Sequence, residues 1–160
     1  MMNLPELHNM VLSGDIAGIR AHLKKGGDVN LKAKNGAGAI MYAAEKNNAA
    51  IVKLLIDAGA DPNLANKMGG TALNRAAENG NLEMMSYLFE NGAKAGPLAL
   101  IIAAREGQLP AVKLLLKHGV DINARQPWGQ TALMQAAREG HLDVCTYLVR
   151  HGADVAAKDK

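Results

Sequence analysis

Five histidines and one cysteine are the residues of this 160-residue chain from which a metal site or a nucleophile would be built. His118 and His151 stand 33 positions apart, each immediately before a glycine. The carboxylates Glu45, Glu78, Glu106 and Glu139 recur in the same way, each one or two residues before a glycine or asparagine. Acid–base chemistry needs two groups that converge on one point, whereas residues recurring at constant spacing are carried apart by the structure that repeats. Successive helical layers lie about 8–10 Å apart, too far for His118 and His151 to share a metal whose ligand distances are about 2 Å. Both histidines read as helix-end side chains near the carbonyl dipole. His8 and His22 stand alone. Cys145 reads as a small buried apolar residue. No phosphate-binding glycine motif or nucleophile elbow is present. The expectation is therefore no catalytic residue, no cofactor, no metal and no enzyme.

The recurrence itself is the stronger signal. Gly26-Gly27-Asp28 precedes Asn30-Leu31-Lys32, and 33 positions later Gly59-Ala60-Asp61 precedes Asn63-Leu64-Ala65. Ile40-Met41-Tyr42-Ala43-Ala44 maps onto Leu73-Asn74-Arg75-Ala76-Ala77 at the same offset, and Leu100-Ile101-Ile102-Ala103-Ala104 onto Leu133-Met134-Gln135-Ala136-Ala137. A fixed period in this range predicts stacked repeats. Two punctuation columns, Gly14/Asn47/Gly80/Gly107/Gly140 and Gly26/Gly59/Gly92/Gly119/Gly152, predict two short helices per unit, because these residues tolerate the left-handed cap past a helix end.

The first helix of a unit is expected over, for example, 71–79, with Thr71 and Thr131 as N-caps, and the second over about 82–91. Leu82, Met85, Leu88 and Phe89 have helical spacing, as do Ile51, Val52, Leu55 and Ile56, Val112, Leu115 and Leu116, and Leu142, Cys145, Leu148 and Val149. One helix pair cannot hide such a ridge, so neighbouring pairs must cover it. The Gly-Ala-Asp-x-Asn segments between units predict local turns leading into hairpin-like fingers that close at Gly36, Gly69 and Gly129. Asn3 reads as the start of the first helix, with Pro5 tolerated in its first turn.

Gly69-Gly70-Thr71-Ala72-Leu73, Ala76-Ala77-Glu78-Asn79-Gly80-Asn81-Leu82 and Gly129-Gln130-Thr131-Ala132-Leu133 through Val144 carry a further inference. With them the chain resembles the ankyrin repeat family over nearly all of residues 6–157. The resemblance implies an all-α ankyrin-repeat solenoid of helix-turn-helix units joined by fingers, and a non-catalytic role in binding other proteins on the concave face. Five repeats are expected within a single domain, 1–160: an N-terminal cap at about 3–32, then 33–65, 66–95, 96–124 and 125–157. The family's Thr-Pro-Leu-His is here Thr71-Ala72-Leu73-Asn74 and Thr131-Ala132-Leu133-Met134, so the bracing histidine is missing there and those repeats should be looser. Leu73 and Leu100 are 27 positions apart, whereas Leu100 and Leu133 are 33 apart. The finger between repeats 3 and 4 is thus shortened by six residues, which should leave a notch in the row of fingers.

The expected binding face combines first helices and fingertips. On the helices, Glu45-Lys46, Glu78-Asn79, Arg105-Glu106 and Arg138-Glu139 alternate in sign. They read either as a self-neutralising solvated face or as a mixed-charge groove that selects a polar segment. The fingertips lean basic and carry Lys34, Lys67, Met68 and Gln130. Trp128, the only tryptophan, is either folded into the notch or exposed as an anchor, since tryptophan is enriched among interface hot spots. Met68 is expected on the other side of the notch. Within the column Tyr42, Arg75, Ile102 and Gln135, the polar members Arg75 and Gln135 are expected to be partly exposed.

The basic balance, a net charge of +3, raises nucleic acid as a partner, but the alternating signs and the scarcity of aromatics argue against it. The start Met1-Met2-Asn3-Leu4-Pro5-Glu6 lacks a secretory pattern. No apolar run reaches spanning length, and a lone cysteine suits a reducing compartment. Those features predict a cytoplasmic protein with no membrane partner, a secreted effector being the alternative. The partner is expected to be another protein, and the chain a monomer. The competing reading is a structural scaffold that self-associates through the open face of repeat 5, where Tyr147 and Val144 are expected to be partly bare.

Overall fold

The computed structural model describes residues 3–160; Met1 and Met2, read above as part of a start without a secretory signal, lie outside the described residues. Among the described residues there are ten helices, arranged as five pairs: α1 (Glu6–Ser13) with α2 (Ile16–Lys24), α3 (Ala39–Glu45) with α4 (Ala49–Asp57), α5 (Ala72–Asn79) with α6 (Leu82–Glu90), α7 (Pro97–Arg105) with α8 (Leu109–Lys117), and α9 (Ala132–Glu139) with α10 (Leu142–Arg150). No extended strand forms among them; a single antiparallel bridge joins Lys32 and Gly38.

Four helices start on a side-chain cap. Asp15 and Asn48 accept hydrogen bonds from the backbone N–H groups of Gly18 (2.9 Å) and Ile51 (3.1 Å). Thr131 and Thr71 cap α9 and α5 in the same manner, both at 3.3 Å from an N–H three residues on. The start of α1 is a correction: it begins at Glu6, with Pro5 rather than Asn3 in the cap position and no side-chain cap bond. Every member of the mid-repeat punctuation column has positive φ, including Asn47 at 56°, the one non-glycine among the described residues to do so. Asparagine tolerates that region better than most residues.

At Gly107 the requirement is double. Its φ is +70°, and a Cβ there would lie 2.6 Å from Nδ1 of His141. His141, the residue before α10, donates from Nε2 to the carbonyl of Arg105 at 2.8 Å and so ties the end of α7 to the start of α10.

The fingers are hairpins in miniature. Ala33 N–H bonds Ala37 O, Asn66 N–H bonds Gly70 O, and Gln126 N–H bonds Gln130 O, at 2.9, 2.9 and 3.0 Å. Residues 91–96 are all that separate α6 from α7, whereas residues 25–38, 58–71 and 118–131 separate the other successive pairs.

The chain divides into two compact units. The first runs to Ala76 and takes in Met84–Ala93; the second comprises Ala77–Glu83 and Lys94–Lys160. Within the first, α1 packs on α2 and α3, and α3 on α4; its core includes Leu7, Ile19, Ile40, Ile51, Leu55 and Leu88, all at most 1% exposed. Within the second, α7 packs on α8 and α9, and α10 on α9 and α8, around Leu100, Val112, Leu115, Val144 and Leu148. Each such side chain contributes about 1.5–3 kcal/mol by leaving water. Alanines at 0% exposure (Ala43, Ala44, Ala76, Ala103, Ala104, Ala136) allow the helices to approach closely.

Asparagines of the Asp-x-Asn segments reach further than a local turn. Asp28, Asp61 and Asp121 do close local turns, each accepting an N–H two residues on at 2.8–2.9 Å. The asparagines instead clasp the following repeat. Asn30 donates to Gly59 O (3.2 Å) and accepts from Asp61 N–H (2.8 Å); Asn123 does the same with Gly152 O (3.4 Å) and Asp154 N–H (2.7 Å). Asn63 donates to Gly92 O at 2.9 Å. The corresponding residue of the last repeat is Ala156.

Candidate functional site: the first-helix and finger surfaces

In the first unit, Lys34 and Lys67 are exposed on their fingers and Lys46 at the end of α3. The two fingers are joined where Lys67 N–H bonds Asn35 O at 2.9 Å. Met68 is 89% exposed. Glu45 lies 4.0 Å from Arg75 Nε, so the sign alternation read in the sequence is a through-space pairing between repeats. Arg75 is half-buried, as expected from its column.

In the second unit the pairing is tighter. Arg105 sits 3.6 Å from Glu78, a repeat earlier, and 2.8 Å from Glu106 beside it. Arg138 has only Glu139, at 3.9 Å from its Nε. Pairs this exposed add about 0–1 kcal/mol each; they set charge pattern more than stability. Asn79 is exposed, and Trp128 stands 70% exposed at the third finger, so the finger does not bury it.

Gln135 corrects its expectation: it is 7% exposed, and its Nε2 donates to Gln130 Oε1 at 2.6 Å. Together with Met134 and Ala157, these two amides line a cleft of about 690 Å³, to which Arg138, Lys158 and Asp159 also contribute. Arg125 donates to the Lys158 carbonyl at 2.9 Å, and Lys160 N–H to the Trp128 carbonyl at 3.0 Å, which hold the 157–160 segment beside the finger. Sequence reading did not find the cleft, because Ala157, Lys158 and Asp159 carry no pattern of their own. The one available signal was a glutamine in an otherwise packing column.

Residues with chemical potential are placed as structural groups. Among the described residues no three of His, Cys, Asp and Glu gather into a possible metal site. Burial pushes the half-buried Cys145 thiol up from its ordinary value, with Asp143 adding to the shift, so the thiolate is disfavoured. His118 and His151 occupy the positions that end α8 and α10. His8 is the surprise: fully buried, it donates from Nε2 to Ala37 O at 2.9 Å and meets Tyr42 edge-on at 5.5 Å. It occupies the column of Asn74 and Met134, so the bracing histidine missing from those repeats is present in the first.

A family model described as ankyrin repeats (3 copies) matches residues 7–97 and again 93–159. The chain belongs to the ankyrin repeat family. Ankyrin repeats are generally protein–protein interaction modules, and this ankyrin repeat chain has the all-helical architecture that goes with them. No curated protein matches it. No helix among the described residues is long and apolar enough to cross a membrane.

Proposed function

We propose that this ankyrin repeat chain is a non-catalytic module that binds a partner protein on its first-helix and finger surfaces, as one repeat domain over 1–160. The observation that carries the reading is Trp128, a large apolar side chain left 70% exposed on a finger in the unit that also holds the polar row Glu78, Asn79, Arg105, Glu106, Arg138 and Glu139. An exposed aromatic in the same unit as paired charges supplies both an anchor and a means of selecting register. Lys34, Glu45, Lys46, Lys67, Met68 and Gln130 extend the proposed contact set.

The test uses the full chain, immobilised and exposed to extract of its native cells, with bound proteins identified by mass spectrometry and their affinities then measured. Trp128→Ala and Glu106→Lys should weaken the partner at least ten-fold, and Lys53→Ala and Lys117→Ala on second helices should not. The reverse pattern would refute the surface assignment.

A second reading is self-association through repeat 5. Leu142 and Val149 are 77% and 47% exposed on α10, with half-buried Cys145 at the same helical spacing. Of the two residues expected to be partly bare, Val144 is fully buried, whereas Tyr147 is half-exposed beside a stacked His151 (3.9 Å) and the Lys113 ammonium (5.1 Å). Ala156 also lacks the clasp that Asn30 and Asn123 supply, which favours a monomer. Concentration-dependent mass by light scattering that disappears in Leu142→Lys would support self-association.

A further inference from the structure

We propose that the cleft beside α9 receives an extended segment of the partner protein and that Arg138 takes a carboxylate side chain from it; this rests on the protein-binding reading above. Two observations converge. The first is the amide pair. Gln135 is 93% buried, and its bond to Gln130 uses one hydrogen of the Gln135 amide and one lone pair of Gln130. The Gln135 oxygen and the Gln130 nitrogen have no partner among the described residues. An acceptor and a donor presented side by side complement a peptide unit, which offers one of each. Neither atom is among the buried unsatisfied ones, so both open to water in the cleft, which a peptide unit can replace.

The second is charge. Arg105 is neutralised by Glu78 and Glu106, whereas the residue one repeat before Arg138 is Arg105 itself, not a carboxylate. The one carboxylate paired with Arg138 among the described residues is Glu139, no nearer than 3.9 Å and through Nε. The Arg138 fork is suited to bidentate capture of a carboxylate. Among the lining side chains Arg138 and Lys158 outnumber Asp159, leaving the cleft net positive. Met134 and Ala157 provide an apolar lining for the segment's aliphatic carbons. A cleft of about 690 Å³ falls within the roughly 300–1,000 Å³ of ordinary ligand pockets. Nucleic acid fits less well: no aromatic lines the cleft for base stacking, and Asp159 would face the phosphates.

The probe is a randomised decapeptide library with one fixed central Glu, set against the same library with Gln there, measured by fluorescence polarisation on the full chain. The best peptide is then titrated while the side-chain amide signals of Gln130 and Gln135 and the Arg138 Nε–H signal are followed by NMR. The Glu library should bind about ten-fold tighter, and Arg138→Gln should remove that advantage, as expected for loss of a charge-assisted pair. Arg150→Gln, outside the cleft, should leave it intact. Equal binding of the two libraries, shifts confined to other residues, or displacement of the peptide by an oligothymidylate would each overturn the proposal. If no peptide binds, the cleft assignment falls; if the native partner is still lost in Trp128→Ala, the broader reading survives that failure, and if it is not, both fall together.

Discussion

His8 and Ala37, 29 positions apart, are joined by a 2.9 Å hydrogen bond from the imidazole Nε2 to the backbone carbonyl. A carbonyl only accepts, so Nε2 carries the proton and Nδ1 is left bare. Nδ1 is buried and has no partner among the described residues. A second proton there would be an unpaired buried charge, and burial accordingly lowers the His8 pKa from its ordinary 6.5, the bond to Ala37 opposing the shift. Asn35 completes the small network, donating to the Tyr42 hydroxyl (3.1 Å) and accepting from Ala37 N–H (3.0 Å).

Acid should therefore loosen the first repeat. The unfolded chain takes up a proton at His8 near pH 6.5, before the folded chain does. The stability that neutral His8 contributes is complete above that value and drains away as pH falls toward the lowered folded-state value, at no more than about 1.4 kcal/mol per pH unit. Urea midpoints at pH 7.5 and 5.5 should drop for the native chain and drop less for His8→Gln. Parallel lines would show that His8 does not titrate as described.

Asn123→Ala should cost about 1–2 kcal/mol, because it removes both bonds to the fifth repeat and leaves the Gly152 carbonyl and Asp154 N–H to water. Ala156→Asn should stay within about 0.5 kcal/mol of the native chain. Denaturant titration followed by circular dichroism measures both.

Gly107→Ala and Gly140→Ala separate crowding from backbone strain. Both glycines have positive φ, 70° and 78°, but an added Cβ meets His141 only at Gly107 and finds open space at Gly140. Gly140→Ala should cost about 1–2 kcal/mol from the left-handed backbone. Gly107→Ala should cost at least about 1 kcal/mol more, through the lost bond from His141 to Arg105. Equal losses would mean that His141 moves aside freely.

Trp128 should report no burial. At 70% exposure its fluorescence should be quenched by acrylamide nearly as well in the folded chain as in urea. Trp128→Ala should change stability by less than about 0.5 kcal/mol. Strong protection from acrylamide would place the ring inside the protein and remove the anchor from the proposed interface.

The fold was legible because a 33-residue period repeats the same few demands: a left-handed residue just past the helices, a capping side chain before several of them, and an apolar ridge at helical spacing. Thr71, Thr131, Asn47 and Gly107 announce themselves by type and column. The positions misjudged were those whose side-chain neighbours are set by packing rather than by residue type. Asn123 looked like a turn former and is a clasp; Gln135 looked half-exposed and is buried against Gln130; Val144 looked bare and is covered.

What the sequence determined alone was therefore set by nearest neighbours along the chain, namely the helix pairs, the threonine caps and the fingers, since backbone preference and hydrophobic period act over a single turn or two; the apolar ridge it marked is only partly core, Leu142 and Val149 being 77% and 47% exposed. Tertiary structure decided what depends on distances between side chains about thirty residues apart. It left Arg138 with one distant carboxylate while Arg105 gained two, and it buried His8 with one nitrogen unpaired. It also brought residues 157–159 alongside α9 to form a cleft. Hydrogen bonds and ion pairs are short-ranged and directional, so their partners are fixed only once the helices have packed.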